Sequence, residues 1–289
     1  MKSILFLSTI DQSSGDKFTG PVQYLLNLPP PVSFLIVSAI TTLIALTGLY
    51  LVRKRYSAEV LKENHEVAAI IFNAFGLFYG VLLAFVVFVT WSGYDDATKN
   101  LQLEANEVAD IFHITTVFPE PAGETMRQEL LEYVTSVYND ELKRMSEGEI
   151  SLHSNEAMLK LITTFYQLDE KAVPNREMYA EALKRLNNLA EYRRLRIFAG
   201  NDTVPPVVWL VLLVGSLISI SYTYFFGMKN IRAQYLIAAS LTVTITMILF
   251  LIYVLDHPFT GASMVSAEPL KQVMQILKND PGVKPSSIP

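Results

Sequence analysis

The chain has 289 residues, of which 51% are hydrophobic and 18% are charged, and its mean hydropathy is positive. Soluble domains carry about 25% charged residues, so this balance favours a membrane protein. The net charge of -5 argues against nucleic acid as a partner, and the absence of cysteine excludes disulfides, thiolate metal sites and cysteine nucleophiles.

Residues 1–31 form a leader that ends in the run Pro29-Pro30-Pro31, which we expect to break the chain before the first membrane span. The leader has only a short apolar run and no small-residue cleavage site. We therefore expect it to be retained and to lie in the membrane interface. Residues 32–52 are apolar and are followed by Arg53-Lys54-Arg55, which predicts a transmembrane helix with a basic stop.

Residues 67–91 form a second apolar stretch, about 25 residues or ~37 Å of helix, which can cross a bilayer with some tilt. No proline interrupts the chain between this stretch and Phe118, and apolar residues continue at helical spacing. Pro119 and Pro121 then end the pattern. The sequence predicts one helix of about 50 residues that leaves the membrane and enters the region beyond it.

Residues 92–203 regain acidic and basic side chains, and their apolar residues recur at helical spacing in four segments. No alternating strand pattern competes, so we expect an extramembrane helical bundle. The third and fourth apolar spans, residues 207–227 and 233–255, make residues 204–255 a second pair of transmembrane helices. The tail, residues 256–289, contains one amphipathic segment and ends in a Pro-Gly pair that predicts disorder.

The predicted fold is therefore an all-α membrane protein, with two transmembrane helices in residues 32–91 and a helical-bundle domain inserted between the second and third spans. Four spans place the bundle and both termini on one side of the membrane and the two short links on the other. Most of the flanking basic residues lie in those links: Arg53, Lys54, Arg55, Lys62, Lys229 and Arg232. The positive-inside rule predicts a bundle on the outer face of the inner membrane.

Five motifs lie within residues 35–275: Gly80-Val-Leu-Leu-Ala-Phe85 with Trp91 and Tyr94, Glu104-Ala105 with Val108, Phe118-Pro119, Arg193-Arg-Leu-Arg196, and Asp256-His257-Pro258-Phe259-x-Gly261. Together they resemble the bacterial bestrophin-like family, a domain of unknown function. The resemblance implies a distant architectural likeness to bestrophins, which are pentameric ion channels lined by the second of four spans. It implies a homo-oligomer, a pentamer by resemblance, with the lipid bilayer and inorganic ions as partners.

Two features depart from the bestrophins. Bestrophins hold their helical region in the cytosol, whereas the basic residues of this chain favour the outer side. Arg193, Arg194 and Arg196, just before the third span, count against that outer location. The calcium clasp of animal bestrophins is not recognisable, so the resemblance does not imply calcium gating.

One face of the second span carries small and polar residues that step by three or four: Asn73, Gly76, Gly80, Ala84, Val87 and Trp91. One hypothesis makes it the lining of an ion-conducting pore, with Val87 or nearby phenylalanines forming an apolar constriction. The alternative is close helix packing, because small residues four apart let two backbones approach. In an oligomer, one helix face can both line a pore and pack against a neighbouring helix.

Polar groups at membrane depth need partners. Asn73 must face protein or water, because an unpartnered amide in lipid costs several kcal/mol. Interhelical hydrogen bonding and pore lining both satisfy it. Asp95 and Asp96 follow the second span and could form an acidic ring that favours cations at a pore mouth, or be ordinary solvated acids.

Asp256 ends the fourth span, where a carboxylate can cap a neighbouring helix, pair with Arg193, Arg194 or Arg196, or handle protons or ions. The chain has no phosphate-binding glycine loop, nucleophile elbow or HExxH motif, so we predict no enzymatic activity, no cofactor and no metal site. The main hypotheses are an oligomeric ion channel that slightly favours cations and a membrane-anchored interaction or sensor protein. An intramembrane enzyme that uses Asp256 is a third.

Overall fold

The structure of the chain is a computed structural model, and it describes residues 28–57, 65–146, 151–168, 173, 175–228, 230–261 and 264–280, with the backbone alone for residues 65–68. The predicted interfacial leader and the predicted disorder after residue 280 lie outside these residues, apart from the leader's last few positions.

Helices make up the described chain, which contains no strand in these ranges. They are α1 (Pro30–Arg55), α2 (His65–Thr115), α3 (Ala122–Ser136), α4 (Leu142–Ser146), α5 (Leu152–Gln167), α6 (Arg176–Asn201), α7 (Pro206–Phe225), α8 (Ile231–Leu255) and α9 (Glu268–Lys278), with a π-helical turn, Val137–Glu141, that joins α3 to α4. Four stretches, in α1, α2, α7 and α8, are long and apolar enough to cross a membrane. The predicted fold class is confirmed.

Helix α1 starts inside the proline run rather than after it. Pro30 occupies its first turn, where a missing N–H group costs nothing because no intrahelical acceptor is available there. The helix packs along α8, and the Thr41 and Thr246 hydroxyls lie 3.0 Å apart across that contact. It ends at the predicted basic stop, Arg53-Lys54-Arg55.

Helix α2 is continuous over 51 residues, which corresponds to about 77 Å at 1.5 Å per residue. Its first half packs against α7 and α8, and its second half packs against α3, α6 and α9. The helix stays intact because its buried face continues without a break from Tyr79 through Ala97 and Leu101 to Val108. The expectation of a single helix of about 50 residues is confirmed.

The extramembrane bundle has one core, shared by α2, α3, α5, α6 and α9. Helix α9 buries Leu270, Val273, Met274 and Leu277 in that core. The sequence predicted the amphipathic segment but placed it in a separate tail. It belongs to the bundle because its apolar face is covered by α2 and α3.

Candidate functional site

The membrane half of α2 has one packed side. Tyr79, Leu83 and Val86 form a cluster with Leu212 of α7 and Ile252 of α8. The Tyr79 hydroxyl donates a hydrogen bond of 2.7 Å to the Leu212 carbonyl oxygen. A Cβ atom at Gly215 would overlap the Tyr79 ring, so this glycine permits the close approach of α7. The position of this packed side determines the direction in which the other faces of α2 point.

The predicted set Asn73, Gly76, Gly80, Ala84, Val87 and Trp91, which we call the α2 stripe, lies beside the packed side of α2 and faces away from the chain. At about 100° per residue, its six members lie roughly 60° to 140° around the helix from Tyr79. Asn73, Gly80, Ala84 and Trp91 are exposed, and Val87 is half-buried at the edge of the packed cluster. Apart from the adjoining residues and backbone of α2 itself, no atom of the described residues lies within 4 Å of the position that a Cβ would take at Gly76 or Gly80.

Asn73 makes no side-chain hydrogen bond within the described part of the chain, and its side chain is exposed. Its amide therefore does not join two helices of one subunit there. Since an unpartnered amide in hydrocarbon costs several kcal/mol, the described residues of one chain do not supply the partner that this side chain needs in an apolar span.

The opposite flank of α2 is aromatic. Phe78, Phe85 and Phe88 are 75%, 65% and 69% exposed, respectively. In the membrane half of α2, a single chain thus covers only the side that carries Tyr79 and its neighbours, and most of the helix surface is left exposed.

The two acids after the span differ in environment. Asp95 forms an ion pair of 2.5 Å with Lys99, one turn further along the helix, and Asp96 is exposed. By helix geometry Asp95 lies roughly 160° from Tyr79, next to the α2 stripe, whereas Asp96 lies roughly 100° away on the opposite flank. The two carboxylates therefore do not share one face.

A buried ionic cluster lies in the bundle, where α2, α6 and the π turn meet. Arg196 of α6 is completely buried, and its guanidinium donates to both oxygens of Glu104 at 2.5 and 3.0 Å. It also donates to Glu141 at 2.7 Å. Arg193, one turn earlier, donates to the other oxygen of Glu141 at 2.7 Å. Two positive and two negative charges thus balance inside the bundle.

Polar neighbours complete this cluster. The Tyr133 hydroxyl donates to Glu104 at 2.6 Å, and Arg193 also donates to the Asn155 side-chain oxygen at 2.7 Å. Burial raises the pKa of Glu141, but Arg196 and Arg193 outweigh it, so its pKa lies below the usual value. Burial and the charge of Glu104 raise the pKa of Tyr133, which keeps its hydroxyl protonated as the donor.

The sequence did not predict this cluster. In the sequence, Glu104 is one of several acids on a helix and is not distinguished from a solvated side chain, and no pattern singles out Glu141, Tyr133 or Asn155. One clue was available: Arg193 and Arg196 are three residues apart and share a helix face, whereas Arg194 points away from it and is exposed. Glu107 is also internal, since it binds Arg185 and Asn188.

The predicted pairing of Asp256 with Arg193, Arg194 or Arg196 is wrong. Arg193 and Arg196 bind the bundle glutamates, and one oxygen of Asp256 accepts a hydrogen bond of 2.7 Å from the Val204 N–H group, just before α7. Asp256 thus accepts a hydrogen bond at a neighbouring helix start, which is another of the roles open to it. Burial raises the pKa of its carboxyl group.

The motif after α8 joins the membrane helices to the bundle. Phe259 is buried in the bundle core, next to Gly200 near the end of α6. No group of three His, Asp or Glu side chains able to hold a metal ion occurs in the ranges that the structure describes.

Comparisons with known proteins show which proteins share this architecture. The sequence profile of a family described as Bestrophin-like domain matches residues 39–270. A comparison with curated proteins finds no significant match. The fold is similar to that of a bacterial bestrophin homologue from Klebsiella pneumoniae, solved by zinc phasing, with a TM-score of 0.66 and 14% identity over 87% of this chain and 99% of that chain.

Two further crystal structures are similar. A single-substitution variant of the Klebsiella homologue has a TM-score of 0.66 and 13% identity, over 87% of this chain and 98% of that one. A variant described as a membrane protein has a TM-score of 0.65 and 14% identity, over 84% of this chain and 97% of that one. The fold is shared with these structures, and because the family profile covers residues 39–270, this chain belongs to the bestrophin-like family.

Proposed function

We propose that this chain forms an oligomeric ion channel in which α2 helices surround a central axis and the α2 stripe lines the pore. One observation carries the proposal: a face with an unpartnered amide and two open glycines points out of the subunit at membrane depth. A lone subunit in lipid leaves Asn73 without a partner, whereas a water-filled axis satisfies it. Family membership supports the same function.

The geometry of α2 supports a bundle that forms a vestibule beyond the pore. The direction of the α2 stripe continues past the membrane through the exposed polar residues Gln102 and Asn106. In the proposed assembly these side chains hydrate the wide part of the conduit. The pentameric state implied by the resemblance, the inner-membrane location and the outer position of the bundle are parts of this proposal.

A slight preference for cations rests on Asp95. It lies beside the α2 stripe, so an oligomer repeats it around the pore mouth. Lys99 pairs with each Asp95 and offsets part of its charge, which is why the proposed preference is small. Glu104 and Glu107 contribute nothing to it, since both are internal and paired.

Cysteine substitution tests the pore lining directly, because the natural chain has no cysteine. Single variants Asn73→Cys, Gly80→Cys and Ala84→Cys are reconstituted in planar bilayers and treated with a charged methanethiosulfonate reagent. We expect the current to fall several-fold, because a charge placed in a narrow pore repels ions of the same sign. Leu236→Cys, on the exposed side of α8, is the matched control and should show no change.

Two results would count against the proposal. Currents that persist unchanged after modification at all three positions place the pore elsewhere. If the natural chain and a Val87→Ala variant, which should widen the constriction, both stay silent over a wide range of voltages and ions, the chain is not a channel.

A membrane-anchored interaction or sensor protein is the second candidate function. It is favoured by an exposed apolar row on α5, formed by Leu152, Leu159 and Tyr166 at intervals of seven residues. This row has no cover within the described part of the chain. Two results together would favour this function over a channel: the chain conducts no current in bilayers, and the oligomer dissociates in a Leu159→Glu variant.

A further inference from the structure

The ends of three membrane helices, α1, α7 and α8, meet in a hydrogen-bonded junction on the side of the two links. Arg53, in the last turn of α1, donates a hydrogen bond of 2.8 Å to the Met228 carbonyl oxygen between α7 and α8. The Tyr224 hydroxyl at the end of α7 donates to the Ala45 carbonyl oxygen at 2.8 Å. Gln234 of α8 is buried and donates to the Thr223 carbonyl oxygen at 3.1 Å. These bonds hold α1, α7 and α8 in one arrangement.

The described part of this junction carries an excess of positive charge. Lys54, Arg55 and Arg232 are exposed at its surface, and no ion pair joins them to a carboxylate among the described residues. The sequence has no Asp or Glu in residues 28–58 or 203–255, so neither α1 nor the pair α7 and α8 can supply a carboxylate. Acidic residues occur only further along the first link, at Glu59, Glu63 and Glu66.

Each exposed cation stands one helical turn beyond an exposed apolar side chain. Lys54 follows Tyr50, and Arg55 follows Leu51, both at the i to i+4 spacing that places residues on one face. On α8, Arg232 precedes Leu236, which is 72% exposed and lies one turn deeper in the membrane. The same pattern of charge at the surface and apolar wall below occurs on both helices.

We infer that this junction binds anionic phospholipids, with lipid phosphates held by the exposed cations Lys54 and Arg55 of α1 and Arg232 of α8, and acyl chains lying along the apolar residues one turn deeper, among them Leu51 and Leu236. The combination of cations with an apolar wall fits a lipid headgroup better than a free phosphate ion, which needs no apolar surface. Basic clusters at the ends of transmembrane helices attract anionic lipid headgroups. The α8 N-terminus adds a favourable helix dipole, although Asn230 already caps two of its N–H groups.

Native mass spectrometry of the purified full-length protein tests the inference, with phosphatidylglycerol, phosphatidylcholine and inorganic phosphate added in separate titrations. We expect phosphatidylglycerol to bind at least tenfold more tightly than phosphatidylcholine, and sodium chloride to weaken it. The variant Lys54→Gln/Arg55→Gln/Arg232→Gln should bind phosphatidylglycerol at least tenfold more weakly, because it removes all three exposed cations of the junction.

The matched control is Lys143→Gln/Lys184→Gln/Arg194→Gln, which removes the same charge from exposed positions of the bundle and should keep full affinity. Three outcomes overturn the inference: equal loss in both triple variants, equal binding of the two lipids, or displacement of phosphatidylglycerol by millimolar phosphate. If the junction variant does not fold, the lipid comparison and the salt dependence on the natural chain decide the question. Lipid binding is measured without conduction, so this test is independent of the channel proposal.

Discussion

At the residue scale, the cluster around Arg196 couples three parts of the bundle through charge. Glu104 belongs to α2, Glu141 to the π turn and Arg196 to α6. Taking such charges out of water is costly, and only complete pairing with good geometry offsets that cost. Tyr133 and Asn155 supply the additional hydrogen bonds that the cluster needs. The π turn matters here because it carries Glu141 into the interior.

Arg196→Gln should lower the free energy of unfolding by about 3–5 kcal/mol, because it leaves Glu104 buried without its main partner. Thermal and denaturant unfolding in detergent, followed by circular dichroism, measures the change. The control is Arg194→Gln, two residues away and exposed, for which we expect a change within about 0.5 kcal/mol. Equal stability of the two variants would show that the cluster contributes little.

At the element scale, α2 joins the membrane to the bundle as one rod. The α2 stripe and Glu104 are parts of the same helix, so a tilt of the bundle moves the stripe as well. Gly93 lies between these two halves, and apart from the adjoining residues and backbone of α2 itself, no atom of the described residues lies within 4 Å of the position of a Cβ there. It is thus a point of low helix propensity at which no packing requires glycine.

Gly93→Ala should leave α2 straight and stabilise it by about 0.5–1 kcal/mol, whereas Gly93→Pro should kink it, because proline clashes with the preceding turn. Spin labels at Leu77 and Gln102 report the difference, since 25 residues of straight helix span about 37 Å. Diluting the labelled chains with unlabelled chains removes the signal from labels in different subunits, so that only the distance within one chain is measured. A narrow distribution of distances between the two labels near that value in the proline variant would contradict the picture of a single rod.

At the scale of the whole molecule, we expect the distribution of charge to determine the orientation in the membrane. The basic residues near the membrane are concentrated at the α1 and α8 ends of the links, where the structure leaves Lys54, Arg55 and Arg232 exposed. By contrast, Arg193 and Arg196 are internal and neutralised by Glu141 and Glu104, so they count little as flanking charges. Burial of these two arginines removes most of the sequence's argument against a bundle outside the cytoplasm.

Cysteines introduced singly at Ser57 and Lys184 should therefore label differently in intact cells. A membrane-impermeant maleimide should reach Lys184→Cys on the bundle surface directly, and Ser57→Cys in the first link only after permeabilisation. Both native side chains are exposed, so accessibility within the protein does not confuse the comparison. Labelling of Ser57→Cys alone in intact cells would place the bundle in the cytoplasm.

The sequence by itself determined the elements of this protein. Apolar stretches of the length of a bilayer predicted the four spans, and the lack of proline before Pro119 predicted the continuous α2, because both depend on local chemistry. Spacing by three and four residues also placed Asn73, Gly76 and Gly80 on one face.

Only the tertiary structure decided which partner each charge has. Glu104 and Arg196 are 92 residues apart along the chain, and Asp256 binds a backbone group 52 residues before it. No local pattern distinguishes these side chains from solvated ones, since burial is created by the packing of distant helices. The same holds for the α2 stripe: spacing groups its residues, but only packing shows that Tyr79 faces inward while Asn73 and Gly80 face outward.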